Sequence, residues 1–349
     1  MQRALRWSNA FLVLLTLTAY LSPFLDPSYF WPISILGLFY PWLLLFNLLF
    51  IIGWIAARKP YFLYSLGCLL VGWHFLSNFI GFHGGGGSPK QAEEIQVMSY
   101  NCHALSSVKA PKGSWKINDF VAFIKKSQPD IIFFQEFPIL DRIADPLSAA
   151  LAKECGLKYV YRESRKSLAL FSKYPMGKKN TNYFTNHSNG YQYADLTIGE
   201  KKIRVYNVHL QTNALSGLAN KVAQEGNLQE KETWLQIKGM IGRYKKSTKT
   251  RGQQAREIAE GIKRSPHPVI IGGDFNDVPF SYTYRQLAHP LQDAFQTSGS
   301  GLGITFNGSI PALRIDYILA DHNFDILDHT ILKEGKSDHF PIISSMVLH

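Results

Sequence analysis

The first 83 residues contain four basic side chains (Arg3, Arg6, Arg58 and Lys59) and one acid (Asp26) in a background of Leu, Phe, Ile, Trp and Tyr. Three apolar stretches stand out, Trp7–Leu25, Trp31–Ala57 and Tyr61–Phe82, each near the ~20 residues that cross a bilayer, so they read as three transmembrane helices. A cleaved signal peptide would account for the first but not for the two behind it, and no small-residue cleavage site follows. Basic residues precede the first span and separate the second from the third, while the first loop holds only Asp26. The positive-inside rule then puts the N-terminus and second loop in the cytoplasm and everything after the third span outside it, in the periplasm if the source is bacterial. Trp7, Tyr29, Trp31, Tyr61 and Phe82 fit an interfacial aromatic belt. Asn47 and His74 are the strongly polar exceptions and are expected to bond a neighbouring helix, which leaves residues 1–83 as an anchor.

The run Gly84-Gly85-Gly86-Gly87-Ser88-Pro89 reads as a flexible linker within residues 84–94, ahead of a catalytic domain at 95–349. That second part holds +8 of the total +11 charge, which favours anionic partners: nucleic acid, anionic lipid or small phosphorylated molecules. Its Lys238, Arg243, Lys245 and Lys246 lie in an expected helix, Gln229–Lys246, as a solvated face or one resting on anionic headgroups; a second helix is expected over Gln254–Ile262. Cys68, Cys102 and Cys155 make neither a disulfide framework nor a zinc-like pair, so the fold must rest on its core.

From Ile95 the pattern becomes strands and helices, and polar residues gather where strands end. Ile95–Tyr100 leads to Asn101; Ile131–Phe134 leads to Gln135 and Glu136; Ile203–Leu210 delivers Asn207 and His209 to one face. An acid at the mouth of a buried strand is costly unless paired or bound to a cation, which makes Glu136 a metal-ligand candidate. The run Val269–Ile271 reads as a buried strand followed by Gly272, Gly273, Asp274, Phe275 and Asn276. There a carboxylate and an amide share a face at a strand exit, suited to orienting a water and bonding a phosphate oxygen. Ile315–Leu319, carrying Asp316, and the final strand Ile342–Leu348, preceded by Ser337-Asp338-His339-Phe340-Pro341, complete the series.

Taken in order, Val97–Asn101, Gln128–Glu136, Asn207–Leu210, Gly273–Asn276, Arg314–Ile318 and Ser337–Pro341 resemble the motifs of the endonuclease/exonuclease/phosphatase superfamily. That superfamily includes pancreatic deoxyribonuclease, abasic-site endonucleases, neutral sphingomyelinases and inositol polyphosphate 5-phosphatases. The resemblance implies a four-layer α/β sandwich of two packed, mostly antiparallel sheets, here preceded by the three membrane spans. It implies Asn101, Glu136 and Asp338 around Mg²⁺ or Mn²⁺, with oxygen donors suited to a hard cation. It also implies His209, Asp274, Asn276, Asp316 and His339 as catalytic: Asp316 orienting His339, Asp274 positioning water, Asn276 bonding phosphate, and His209 meeting the developing charge or the leaving oxygen. Which of His339 and Asp274 takes the proton stays open in the sequence. Cys102-His103 after Asn101 and the lack of a glycine in Ser167–Lys173 depart from the pattern.

The function expected from this reading is a membrane-anchored, divalent-metal-dependent phosphodiesterase cutting a lipid headgroup phosphodiester, because a tether concentrates a lipid substrate and does nothing for free nucleic acid. An extracytoplasmic nuclease or a phosphomonoesterase is the alternative. The bilayer and a phosphate-ester substrate are the expected partners, and no obligate protein partner is evident.

Overall fold

A computed structural model describes residues 2–83, 93–106, 115–184, 188–213, 230–308 and 313–349. The Gly84–Pro89 linker lies outside the described residues.

The apolar N-terminal stretches form helices shorter than the sequence spacing suggests: α1 (Gln2–Ala19), α2 (Pro27–Phe30), α3 (Pro32–Leu38), α4 (Tyr40–Ala56) and α5 (Phe62–Val71). Among the described residues no single helix is long and apolar enough to cross a membrane; α3 and α4 pass that test only together and are bent by 61° at Phe39. Pro41, in the first turn of α4, cannot donate a backbone N–H to α3, so the chain restarts its helix there. The third apolar stretch continues past Gly72 as a 3₁₀ turn, Trp73–Asn78, and strand β1 (Ile80–Phe82). At 1.5 Å per residue α1 and α4 are about 27 Å and 25 Å long. Buried polar groups tie the helices together: Asn47 donates to Thr16 Oγ1 at 2.9 Å, Asn9 donates to Ser65 Oγ at 2.6 Å and Trp54 Nε1 donates to Asn9 at 3.0 Å. Arg6 lies over the Tyr61 ring, which sets the start of α1 beside the α4–α5 turn, so the basic residues gather at one end of the bundle.

From residue 95, strands with apolar residues on both faces build two six-stranded sheets. The first has the order β13 (Phe324–Ile331), β14 (Ile342–Leu348), β2 (Ile95–Asn101), β3 (Ile131–Gln135), β5 (Ala169–Ser172), β4 (Tyr159–Arg162). The second runs β10 (Gln292–Asp293), β12 (Asp316–Ala320), β9 (Val269–Asp274), β8 (Lys201–His209), β7 (Gly190–Ile198), β6 (Met176–Tyr183). Only β2–β3 and β8–β9 pair in parallel within these sheets; the other pairings are antiparallel.

The period-2 alternation of the strands sorts the core into three layers. Val97, Phe133 and Leu170 face Val205, Ile270 and Ile318 between the sheets. Met98, Tyr100, Ile132 and Phe134 point the other way, against α6 (Ile117–Ser127) and α7 (Asp141–Cys155). Tyr206, Val208, Ile271 and Tyr317 pack on α8 (Lys231–Lys263) and α9 (Tyr282–Ala288). This is a helix–sheet–sheet–helix stack, as the motifs implied. The two helices expected between 229 and 262 are one, α8, because no proline separates them and Arg251, Gly252, Gln254 and Ala255 give the middle of the helix a buried face.

The N-terminal helices do not hang free of this sandwich. Tyr40 stacks on Phe280, with centroids 3.9 Å apart and rings 7° from parallel, and Phe75 meets the same ring edge-on at 4.7 Å. Tyr244 of α8 donates to the Ser34 carbonyl at 2.8 Å, Arg256 pairs with Asp26, and β1 forms a two-stranded sheet with β11 (Ser300–Leu302).

Candidate active site

Parallel pairing of β2 with β3 and of β8 with β9 brings four strand exits to one edge of the sandwich. In register, Asn101 is opposite Gln135, His209 opposite Asp274, and Asp274 opposite Asp316 of β12. The Gly272-Gly273 pair makes this close approach possible. A Cβ on Gly272 would lie 2.4 Å from the Phe133 ring, and one on Gly273, at φ +151°, would lie 1.9 Å from the Val208 carbonyl oxygen.

The strand exits surround a cavity of about 230 Å³ whose polar lining includes His103, Glu136, His209, Asp274, Asn276 and Asp338. His339 closes one side. A larger hollow of about 520 Å³, near Lys126 and Glu334, lies beside α6 and β13 and contains none of these residues. Glu136, His103 and Asn276 all hold positive φ (48°, 46° and 52°), which non-glycine residues adopt at a cost and which clusters at functional sites.

Asn101 donates from its amide to Asp274 Oδ2 at 3.1 Å and to Glu136 Oε1 at 3.4 Å, while its oxygen accepts the His103 N–H at 3.2 Å. In this orientation it holds the two carboxylates rather than offering a metal its oxygen. Asp274 Oδ1 accepts the Asn276 N–H at 2.8 Å, and Asn276 donates to the Leu210 carbonyl at 3.1 Å, so the Asp–Asn pair is fixed to the end of β8. His209 has its Nδ1 3.1 Å from the Ser188 carbonyl, which can only accept; Nε2 therefore faces the pocket, 3.6 Å from Asp274 and 3.9 Å from Glu136.

His339 and Asp316 form a buried pair, Nδ1 lying 2.9 Å and 3.0 Å from the two carboxylate oxygens, with Nε2 3.7 Å from Asp274. Burial opposes the imidazolium, but the Asp316 and Asp274 charges outweigh it and raise the His339 pKa. Burial likewise raises the Asp316 carboxyl, with His339 pulling the other way. At neutral pH the pair is imidazolium against carboxylate.

Asp274, Asp316 and His339 offer ligand atoms within 4.8 Å of one another, yet all three are buried and Asp316 is already committed to His339 Nδ1. Glu136 is the better cation ligand. Its side chain is 35% exposed, and although burial would raise its pKa, the His103 hydrogen bond at 3.1 Å and the charges of His209 and His339 bring it down to about 2. With Asp338 beside it, 3.9 Å from His103, this is an oxygen donor set open to the cavity, which fits a hard divalent cation.

Of the sequence candidates, Asn101, Glu136, His209, Asp274, Asn276, Asp316, Asp338 and His339 all come together here. Asn207 does not: it is wholly buried between the sheets, donating to the Phe134 and Ala169 carbonyls and to Gln192 and accepting from Gln135. Arg314, from the same motif as Asp316, turns away and binds Asp293 through two hydrogen bonds of 3.0 Å and 2.8 Å. Sequence reasoning assigned no role to His103, Asp277, Asn213 or Arg251. Arg251 is fully buried and donates to Asp277, to the Gln211 carbonyl and to Asn213, bracing two loops of the cavity from behind. An arginine so placed in a polar helix gives no pattern by which to find it.

A model of the endonuclease/exonuclease/phosphatase family matches residues 98–339, and a model of a domain of unknown function matches residues 2–79. No curated protein matches the chain at a significant level. Among solved structures, an endonuclease/exonuclease/phosphatase family protein from Bacteroides thetaiotaomicron aligns at 16% identity and TM-score 0.53, over 74% of this chain and 100% of that one. Mannosyl-6-phosphatase from the same organism aligns at 16% and 0.50 over 73% and 100%. TDP2 from D. rerio, complexed with a single strand DNA product, aligns at 14% and 0.50 over 72% and 98%.

Proposed function

The chain belongs to the endonuclease/exonuclease/phosphatase family, whose members are phosphoester hydrolases, and from that premise we propose that it is a membrane-anchored, Mg²⁺-dependent phosphodiesterase that cleaves a lipid headgroup phosphodiester. Enzymes of this family generally use divalent metal ions. Glu136 and Asp338 would hold the cation, which when bound supplies charge neutralisation at a phosphoryl oxygen. Mg²⁺ or Mn²⁺ suits their oxygen donors.

The chain's own residues supply the rest. Asp274, held by Asn101 and the Asn276 N–H, orients a water and accepts its proton as the water oxygen adds to phosphorus. His339, kept protonated by Asp316, bonds a phosphoryl oxygen through Nε2, as does the Asn276 amide. The P–O bond to the lipid alcohol breaks, and the departing oxygen takes a proton from Nε2 of a His209 ring protonated on both nitrogens, its Nδ1–H staying on the Ser188 carbonyl; Asp274, 3.6 Å from Nε2, returns to that ring the proton it took from the water.

The observation that carries the lipid reading is the direct packing of the apolar bundle on the chain just after Asp274, through Tyr40 and Phe280. The bundle's outer face is apolar: Trp7, Phe11, Leu14, Ile52, Leu70 and Trp73 each leave more than half their surface exposed. Arg3, Arg6, Arg58 and Lys59 lie at the end away from the catalytic domain, which supports the orientation with that end in the cytoplasm and the catalytic domain extracytoplasmic. The test offers full-length protein in liposomes a panel of glycerophospholipids and sphingomyelin, an oligonucleotide and a phosphomonoester, each with Mg²⁺. Release of a headgroup product from one lipid class is the expected result. Cleavage of the oligonucleotide or the monoester with every lipid intact would replace this reading with the corresponding alternative.

A further inference from the structure

The N-terminal region does more than tether the domain, because its α3–α4 elbow reaches the catalytic cavity. Leu38, the last residue of α3, lines that cavity together with Val278, Phe306, Leu313 and Ile315, opposite the Glu136–Asp338 side in chemical character. Three separate contacts clamp the elbow in place. The α3 backbone lies directly on the loop after Asp274, since a Cβ on Gly37 would come within 2.5 Å of the Phe280 carbonyl oxygen. Tyr40, on the far side of the bend, stacks on the Phe280 ring. Ser34, four residues before Leu38, accepts the Tyr244 hydroxyl of α8. Phe39, beside Leu38, is half exposed, so the apolar character of the cavity wall continues outward to the surface of the bundle.

We propose that the α3–α4 elbow is a substrate-selecting wall of the active site, with Leu38 contacting the apolar part of a phosphodiester beside the scissile phosphate. This rests on the lipid reading. A polar headgroup gains nothing from Leu38, Val278 and Ile315, whereas the acyl-bearing alcohol of a lipid buries apolar surface against them. An anchor joined only by a flexible segment would not place a leucine inside the cavity. The elbow therefore makes selection for an apolar substituent a property of the folded site as well as of membrane location.

The test uses full-length protein in detergent with probes free in solution, so that membrane concentration plays no part. These are dihexanoyl phosphatidylcholine, phosphatidylethanolamine and phosphatidylglycerol below their micelle concentrations, and glycerophosphocholine, a phosphodiester whose glycerol carries no acyl chains. Leu38→Ala and Leu38→Asn are compared with Leu38→Met, which conserves volume and apolarity. The ratio of kcat/KM for the cleaved lipid to kcat/KM for glycerophosphocholine is expected to fall at least 10-fold in the first two and to stay within 2-fold in the third. The loss should sit mainly in KM, with thermal stability and Mn²⁺ affinity moving little. A ratio unchanged in Leu38→Asn, while the wild type cleaves lipid, overturns the wall and leaves the lipid reading standing. A wild type that cleaves none of the three lipids but cuts an oligonucleotide overturns both.

Discussion

Replacing Phe280 with alanine should loosen the N-terminal bundle from the catalytic domain. Phe280 is fully buried, stacked on Tyr40 at 3.9 Å, met edge-on by Phe75 at 4.7 Å and approached by Tyr20 at 6.1 Å. Truncating a buried phenylalanine removes about 3–5 kcal/mol, and that range includes the cavity it leaves. Each well-placed aromatic pair adds about 0.5–1.5 kcal/mol beyond area, so Phe280→Leu, which keeps most of the volume, should lose roughly 1–3 kcal/mol. Because Phe280 sits where the bundle meets the sandwich and outside the central strands, the loss should appear as local opening. Hydrogen exchange in nanodiscs should speed up at the end of α1, in the first turn of α4 and over residues 277–281, while β2, β3 and β8 stay protected. Catalytic efficiency should fall as well, since Asp277 and Val278 line the cavity three and two residues away. Exchange within threefold of wild type at all three segments, with stability changed by less than about 1 kcal/mol, would refute the docking of bundle on sandwich.

Gly273→Ala should cost roughly 2–4 kcal/mol or prevent folding, because the backbone is at φ +151° and the new Cβ meets the Val208 carbonyl; a denaturation midpoint equal to wild type would contradict the close approach of β8 and β9. Asp316→Asn should change the alkaline limb of stability. The His339 pKa is raised from 6.5 to about 10, so the stability that His339 gains from its charge begins to fall as pH rises above 6.5 and is lost through about 10, and the variant's Tm should decline less steeply across that window than the wild type's. Parallel Tm profiles would remove the charged pair from the account. A topology reporter fused after His349 should read as extracytoplasmic, and a cytoplasmic signal would reverse the orientation and the leaflet whose lipids the site can reach.

The sandwich was legible because its central strands are strongly apolar and the polar residues of the candidate site sit at their exits. Val269 to Asp274 reads as a strand and a turn for the same reason that it forms one: a β-branched run with two glycines where another strand presses close. The strand β6 was not legible, since Met176–Tyr183 is a largely exposed edge of Lys, Asn and Thr without alternation. Helix α7 was hidden by Pro146, its sixth residue, which lies past the first turn where a proline needs no hydrogen-bond partner. Hydropathy set the outer limits of the N-terminal stretches but not their breaks at Phe39 and Gly72, which depend on where Pro41 and the Phe280 ring meet the chain. The site was legible as eight residues and not as a geometry. That Asn101 turns its amide nitrogen to the carboxylates, or that His103 rests on Glu136, follows from hydrogen bonds between strands far apart in sequence.

The most direct test of the account is turnover by full-length protein on its best phosphate ester, before and after metal removal, in wild type and in Glu136→Ala. EDTA should abolish activity and Mg²⁺ or Mn²⁺ restore it. Glu136→Ala should lose at least ~100-fold in kcat/KM while melting close to wild type, because a partly exposed carboxylate at a strand exit supports the cation and not the core. Turnover that persists in EDTA, or a Glu136→Ala enzyme as active as its parent, would contradict a cation-assisted site at these strand ends.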